Sequence, residues 1–207
     1  MPTTNTKNKI RNEIWETLQK NQQTNRKQGD YNKIPDFKGK TQAAKKLRET
    51  PEYKKAKTIF TAPDTAQKPV RYNCIKDNKT LIMATPNLEN GYLLLNKKAK
   101  NEPEKASDKK YAKNYGEKIK TIPKIDMVIE GSVGVDIKGN RLGKGKGYGD
   151  TEIKDLLNKK AINNKTPIVT TVHPLQIKEK IPTEKHDCKI NMIVTPKNII
   201  YTENYKL

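Results

Sequence analysis

Ten consecutive residues, Arg141-Leu142-Gly143-Lys144-Gly145-Lys146-Gly147-Tyr148-Gly149-Asp150, combine types and spacing suited to chemistry. Glycines at alternate positions let the backbone adopt positive φ and turn successive N–H groups towards one point. The pattern predicts a strand before the loop and a helix after it, from about residue 150 to 160. The free N–H groups and positive dipole end of that helix then face the same place. Arg141, Lys144 and Lys146 add cationic side chains, so the ensemble suits a phosphate. The competing reading is a mobile glycine loop with ordinary surface lysines; the flanking strand and helix, with Asp150 at the junction, favour the phosphate. Two familiar motifs are excluded. A Walker loop needs one more residue between Gly139 and Gly143 and a hydroxyl after Lys144. A dinucleotide fingerprint needs Gly-x-Gly-x-x-Gly, which strict alternation breaks.

Other residue types offer less. Cys74 and Cys188 are far apart and form no Cys-x-x-Cys pair, so free thiols are expected. The net charge is +20, yet only Arg11, Arg26, Arg48, Arg71 and Arg141 among the 43 basic residues are arginines. Nucleic-acid surfaces lean on arginine's bidentate fork. An excess of lysine spread along the chain reads as a solvated surface, so a nucleic-acid partner is the less favoured reading.

The elements that must position the loop come from 207 residues, the length of one domain. The hydrophobic fraction is 32%, but short apolar runs such as Leu81-Ile82-Met83 and Met127-Val128-Ile129 still supply a core. No apolar run approaches the roughly 20 residues of a membrane span. The first residues lack the apolar stretch of a secretion signal, so a cytoplasmic location is expected. Helical periodicity over residues 5–22 places Ile10, Ile14, Trp15 and Leu18 on one face. Together with a second helix over 41–49 this makes an N-terminal helical segment, 5–50. Strands are predicted at 58–62, 80–84, 125–130, 168–173, 190–195 and 199–201, with a short extended piece at 133–137. Helices are predicted at 69–77 and about 150–160, the latter with Ile153, Leu156 and Leu157 inward. Residues 96–124 carry ten lysines and few core-sized side chains, which predicts an exposed basic excursion. Alternating strands and helices predict an α/β fold with a mostly parallel sheet covered on both faces.

The run Gly139 to Asp150 resembles the signature of the 5-formyltetrahydrofolate cyclo-ligase (methenyltetrahydrofolate synthetase) family, Gly-x-Arg-Leu-Gly-x-Gly-x-Gly-Tyr-Tyr-Asp. Lys7-Asn8-Lys9-Ile10-Arg11 is similar to its opening Lys-x-x-x-Arg. The methenyltetrahydrofolate synthetase domain-containing branch is the most similar. It shares the look of Ile34-Pro35-Asp36-Phe37-Lys38-Gly39, Gln67-Lys68-Pro69-Val70-Arg71, Gly131-Ser132-Val133, His173, His186-Asp187 and Val194-Thr195-Pro196. The resemblance implies a three-layer α/β/α fold of the NagB/ribose-phosphate-isomerase (RpiA)/CoA-transferase type. It implies ATP and Mg²⁺ as cofactors and a reduced folate or related pterin as substrate. ATP would phosphorylate the formyl oxygen of 5-formyltetrahydrofolate, and ring closure by N10 would expel phosphate to leave 5,10-methenyltetrahydrofolate. Such chemistry is mainly positioning and charge neutralisation. By the match, Lys7 and Arg11 would contact ATP phosphates from one helix face. Arg141, Lys144 and Lys146, with Gly143, Gly145, Gly147, Tyr148 and Gly149, would cradle the rest, and Asp150 and Asp187 would hold Mg²⁺. Plainer alternatives are an exposed helix face for Lys7 and Arg11, a helix cap for Asp150, a structural histidine for His173 and a polar turn for His186-Asp187.

The departures are specific. Gly149 replaces the family's second signature tyrosine, Gly131-Ser132-Val133-Gly134-Val135-Asp136 replaces Pro-Gly-x-x-Phe-Asp, and Asp64 is the nearest candidate for the acidic folate-binding residue. They fall on the pterin side, so a nucleotide-binding module without cyclo-ligase activity stands as the alternative to the enzyme.

Overall fold

The computed structural model of the chain describes residues 2–95 and 97–205. In chain order the elements are helix α1 (Pro2–Lys20), α2 (Lys40–Glu49), α3 (Pro51–Lys55), strand β1 (Thr58–Thr61), α4 (Lys68–Lys76), β2 (Thr80–Ala84), β3 (Tyr92–Leu95), α5 (Pro103–Ala106), β4 (Gly116–Ile119), β5 (Met127–Glu130), β6 (Gly134–Val135), β7 (Arg141–Leu142), α6 (Tyr148–Asn158), β8 (Ile168–Thr171), β9 (Met192–Val194) and β10 (Ile199–Tyr201). Among the described residues one eight-stranded sheet runs β10-β9-β8-β5-β1-β2-β3-β4, and β6 and β7 form a separate two-stranded ribbon. β1 pairs in parallel with β2 and β5, and β8 with β5 and β9. The edge pairs, β2–β3, β3–β4 and β9–β10, are antiparallel.

Strand alternation divides the core into layers. Ile59, Leu81, Met83, Met127 and Ile129 face one way, under α2 and α4, while Phe60, Ile82 and Val128 face the other, under Ile153 and Leu156 of α6. The crossover from β1 to β2 runs through α4 on one face, and that from β5 to β8 runs through α6 on the opposite face. The chain therefore leaves β1 and β5 in opposite directions, and a crevice opens beyond their carboxyl ends, as at switch points of open α/β sheets. The fold is a three-layer α/β sandwich with a mostly parallel sheet. A third apolar cluster seats α1 through Ile14, Trp15 and Leu18 against Phe37, Ala43, Ala66 and Val133. That seating brings Lys7 and Arg11, one turn apart, to the crevice.

Two expectations change, and a third gains detail. Leu157 lies outside the core at 37% exposure; Ile153 and Leu156 alone of that trio are buried. The α6 helix begins at Tyr148, two residues before the expected start, capped by Gly147 in the left-handed conformation (φ 69°) with no side-chain cap. Residues 97–124 are mostly exposed and partly helical, and they are anchored: β4 pairs with β3 from Tyr92↔Ile119 to Leu95↔Gly116, and Ala99, Ala106 and Ala112 enter the core beside α4. Arg71, fully buried on α4, ties this segment down, donating from Nε to the Ser107 carbonyl at 2.8 Å and from Nη1 to the Ala62 carbonyl at 2.7 Å. The lysines point out while small side chains point in, so the buried contacts carry no core-sized pattern to read.

Candidate functional site

A cavity of about 380 Å³ occupies the crevice. Residues following β1 (Ala62, Pro63, Asp64), Glu130 and Gly131 at the end of β5, the glycine loop, the start of α6, one face of α1 and the segment holding Glu184, His186 and Asp187 line it together. Its mouth is cationic. Arg11, almost buried, donates from Nε to the Gly143 carbonyl at 2.7 Å and from Nη1 to Asn8 Oδ1 at 2.6 Å. The guanidinium thereby pins α1 to the glycine loop, and burial lowers its pKa from the ordinary arginine value. Gly145 has φ 99° and Gly147 φ 69°, a region that favours glycine, and these two positions turn the loop into the helix. The N-terminus of α6 lines the cavity through Gly147, Tyr148, Gly149 and Asp150, and the first N–H groups of a helix lack intrahelical partners. Lys144 lines the cavity with its ammonium 5.6 Å from the Tyr148 ring centre. Lys146 is exposed and lies outside the lining, so the alternating pattern delivers one of its two lysines and not the other.

Lys7 is also buried, with Nζ 2.7 Å from Glu184 Oε2 and 2.6 Å from Asp187 Oδ2. Burial alone pulls its pKa down; the bonds to Asp187 and Glu184 outweigh that and leave it raised. Asp187 is depressed in turn, its own desolvation overcome by the Lys7 contact and the Glu184 N–H. Arg141, in β7, donates from Nη1 to the Gly131 carbonyl at 3.0 Å and pairs through Nη2 with Asp150 Oδ2 at 2.9 Å. Asp150 Oδ1 accepts from the Cys188 N–H at 2.9 Å. Both oxygens of Asp150 are therefore engaged, Oδ2 with Arg141 and Oδ1 with the Cys188 N–H, and neither caps α6. Of the two aspartates expected to hold a metal, Asp150 is bonded to Arg141 and the Cys188 N–H, and Asp187 to Lys7 and the Glu184 N–H. Glu184, His186 and Asp187 place ligand atoms within 4.8 Å of one another, a group that Asp150 does not join. His173 is placed outside the cavity lining; its Nδ1 accepts from the Leu175 N–H at 3.2 Å and caps a 3₁₀ turn, a structural role.

Asp64, the acidic residue singled out after the first strand, lines the cavity, but the two glutamates beside it, at the floor, were not anticipated. Glu130 and Glu152, 1% and 3% exposed, face one another there with half-buried Asp64 alongside. Desolvation first, and the Glu152 charge second, push Glu130 well above the ordinary carboxylate range. Desolvation and then Asp64 raise Glu152, and burial raises Asp64. A Cβ on Gly149 would sit 2.9 Å from both Glu130 Oε2 and Arg141 Nη2, so a larger residue at 149 requires the ends of these side chains to shift. Two signals pointed to the glutamates: a glutamate ending the apolar run Met127-Val128-Ile129, and Glu152 one turn before Leu156 in the inward stripe of α6. Lys109, from the lysine-rich segment, also lines the cavity. No local pattern marks it.

A parallel-centred three-layer α/β fold, with a glycine loop entering a helix over a crevice lined by cations and carboxyl groups, defines an α/β protein with a charged crevice at its topological switch point. A model of the 5-formyltetrahydrofolate cyclo-ligase family matches residues 3–196, and the chain belongs to that family. It is 34% identical over 207 aligned residues to the methenyltetrahydrofolate synthase domain-containing protein of Bos taurus, covering 95% of this chain and 54% of the relative. The Mus musculus protein of the same name is 34% identical, with 95% and 55% covered. The chain thus spans about half the length of these curated relatives. Among solved structures, the NMR structure of the Aquifex aeolicus 5,10-methenyltetrahydrofolate synthetase matches with a TM-score of 0.61 at 18% identity, over 100% of this chain and 96% of that one. The Mycoplasma pneumoniae 5,10-methenyltetrahydrofolate synthetase matches with a TM-score of 0.54 at 13% identity, over 91% and 97%. Both likenesses concern the fold. No helix among the described residues is long and apolar enough to cross a membrane.

Proposed function

We propose that the crevice binds the phosphates of ATP and that the chain acts as an ATP-dependent cyclo-ligase on 5-formyltetrahydrofolate or a related formyl-pterin. The observation that carries the reading is the convergence of Lys7, Arg11, Lys144 and the α6 N-terminus on one cavity. In the reaction the formyl oxygen bonds to the γ-phosphorus and ADP departs. N10 then bonds to the former formyl carbon and gives up its proton to solvent, and phosphate leaves with that oxygen, giving the methenyl product. The chain's part is to hold the reactants and neutralise charge. Lys144 and the helix amides face the phosphates. Arg11 fixes the loop that carries them, and Arg141, braced by Asp150, keeps the Gly131 turn in register with it. Mg²⁺ would be held by Asp187 with Glu184 and would supply charge neutralisation on the phosphate oxygens.

Absorbance of the methenyl product, formed from 5-formyltetrahydrofolate with Mg-ATP, tests the assignment. Turnover dependent on ATP is expected. No product, with ATP binding retained, would overturn the cyclo-ligase in favour of a nucleotide-binding module without that activity. The acidic floor, placed where the family signature has a second tyrosine, is the observation that favours this second reading.

A further inference from the structure

The cavity is bipolar, with cations at its mouth and carboxyl groups at its floor. Its lining lysines and arginines are Lys7, Arg11, Lys109, Arg141 and Lys144. Three of these are occupied by the protein itself. Lys7 holds Glu184 and Asp187, Arg11 holds the Gly143 carbonyl and Asn8, and Arg141 holds Asp150 and the Gly131 carbonyl. Among the described residues Lys109 and Lys144 make no hydrogen bond or ion pair, Lys144 lying over the Tyr148 ring. Lys109 comes from the lysine-rich segment, and its main chain is fixed on either side. The Ser107 carbonyl accepts from Arg71 Nε at 2.8 Å, Asp108 Oδ2 lies 3.6 Å from Lys68 Nζ, and Asp108 Oδ1 accepts from the Lys110 N–H at 3.0 Å. Two side chains of α4, Lys68 and Arg71, therefore present Lys109 to the crevice. Lys109 stays exposed along part of its length, as lysines commonly do. Desolvation lowers its ammonium from the ordinary lysine value; the Asp64 carboxyl opposes that, and Arg26, Lys144 and Arg71 add to it. Burial raises Asp64 in turn, and Lys144 and Lys109 are the first cations to oppose it. Lys109 thus stands where mouth meets floor, close to a second unpaired ammonium. Like charges gathered in a partly desolvated place repel one another, and an anion between them replaces the repulsion with two charge-assisted hydrogen bonds.

We propose that Lys109 is a phosphate ligand of the crevice, closing with Lys144 on the terminal phosphoryl group of ATP as it passes to the acceptor oxygen. The proposal rests on the crevice binding ATP, and it adds to the glycine loop a cation from the lysine-rich segment. The reacting phosphoryl must lie between the nucleotide at the mouth and the second substrate at the floor, which is where Lys109 stands. Its ammonium donates to a non-bridging oxygen and neutralises charge there while the phosphorus–oxygen bond to ADP breaks and the one to the formyl oxygen forms. Lys109 keeps its proton throughout. A lysine that meets the γ-phosphate distinguishes ATP from ADP, which supplies the test. Mg-ATP and Mg-ADP are titrated calorimetrically into the whole chain as wild type, Lys109→Met and Lys110→Met, the last an exposed neighbour outside the lining. Lys109→Met is expected to weaken Mg-ATP about tenfold while changing Mg-ADP less than about twofold, and Lys110→Met should change neither. Equal losses for both nucleotides, no loss of Mg-ATP in Lys109→Met, or the same loss in Lys110→Met would overturn the proposal. Should Lys109→Met misfold, acetylation of the wild type by acetic anhydride, mapped by mass spectrometry, decides. Mg-ATP should protect Lys109 more than Mg-ADP does, and equal protection would overturn the proposal. A wild type that binds no Mg-ATP removes the nucleotide reading itself, whereas an unaltered preference for ATP over ADP in Lys109→Met removes Lys109 alone.

Discussion

Single residues carry the sharpest consequences at the floor and at the loop. Gly149 has its missing Cβ 2.9 Å from two polar atoms, Glu130 Oε2 and Arg141 Nη2. Gly149→Ala is therefore expected to cost about 1–3 kcal/mol through crowding, and Gly149→Tyr more, read as a lower midpoint in urea. The carboxyl pair predicts a pH dependence of stability. Glu130 and Glu152 have folded pKa values raised by burial, Glu152 to about 8, with Asp64 also raised and Arg141, Lys144 and Lys109 as the facing cations. A carboxyl raised on folding stabilises the protein fully below its ordinary range, and that contribution is lost as pH rises through the folded value. The ligand-free chain should thus melt lower at about pH 8.5 than at about pH 5.5, and Glu130→Gln should flatten the difference. Equal slopes in thermal unfolding of the two proteins would refute it. Legibility at this scale was uneven. The loop stands out because glycine spacing is a local pattern, whereas Lys7 and Arg11 stand out only through the resemblance to the family's opening Lys-x-x-x-Arg. Glu130 and Glu152 meet only in three dimensions, though each breaks an apolar stripe.

Among the elements, the α/β alternation was legible because each central strand is a short apolar run with residues for both faces, as Leu81, Ile82, Met83 and Ala84 show. What escaped is what lacks a local pattern. The β4 strand, Gly116-Glu117-Lys118-Ile119, is mostly exposed at the sheet edge, where polar residues are ordinary and lysine blunts edge pairing. The β6–β7 ribbon is two residues a side and exists because the chain must bring Arg141 back under Gly131. Arg71 is the tie between these parts, joining α4 to the turn after β1 and to the lysine-rich segment. Removing it strands buried carbonyls at Ala62 and Ser107, so Arg71→Met is expected to destabilise by about 3 kcal/mol. Hydrogen exchange should show residues 97–119 losing protection first. A variant as stable as the parent would show that the tie contributes nothing.

For the whole molecule, a net charge of +20 and a bipolar crevice act at different ranges. Diffuse lysine charge should hold the chain on double-stranded DNA at low salt and release it steeply between about 50 and 200 mM, as counterion release requires. Retention of sequence-selective binding at the higher salt would instead assign the surface a dedicated role. The nucleotide binding proposed for the crevice would depend on particular residues and should persist at the higher salt. The most direct test of that central claim is calorimetric titration of Mg-ATP at physiological salt into the wild type and two single variants. Lys144→Ala, which strips a lining ammonium, should weaken binding about tenfold or more, while Lys146→Ala, exposed and outside the lining, should change it by less than about threefold. Equal losses in both variants, or none in Lys144→Ala, would contradict the placement of the phosphates between the glycine loop and α1.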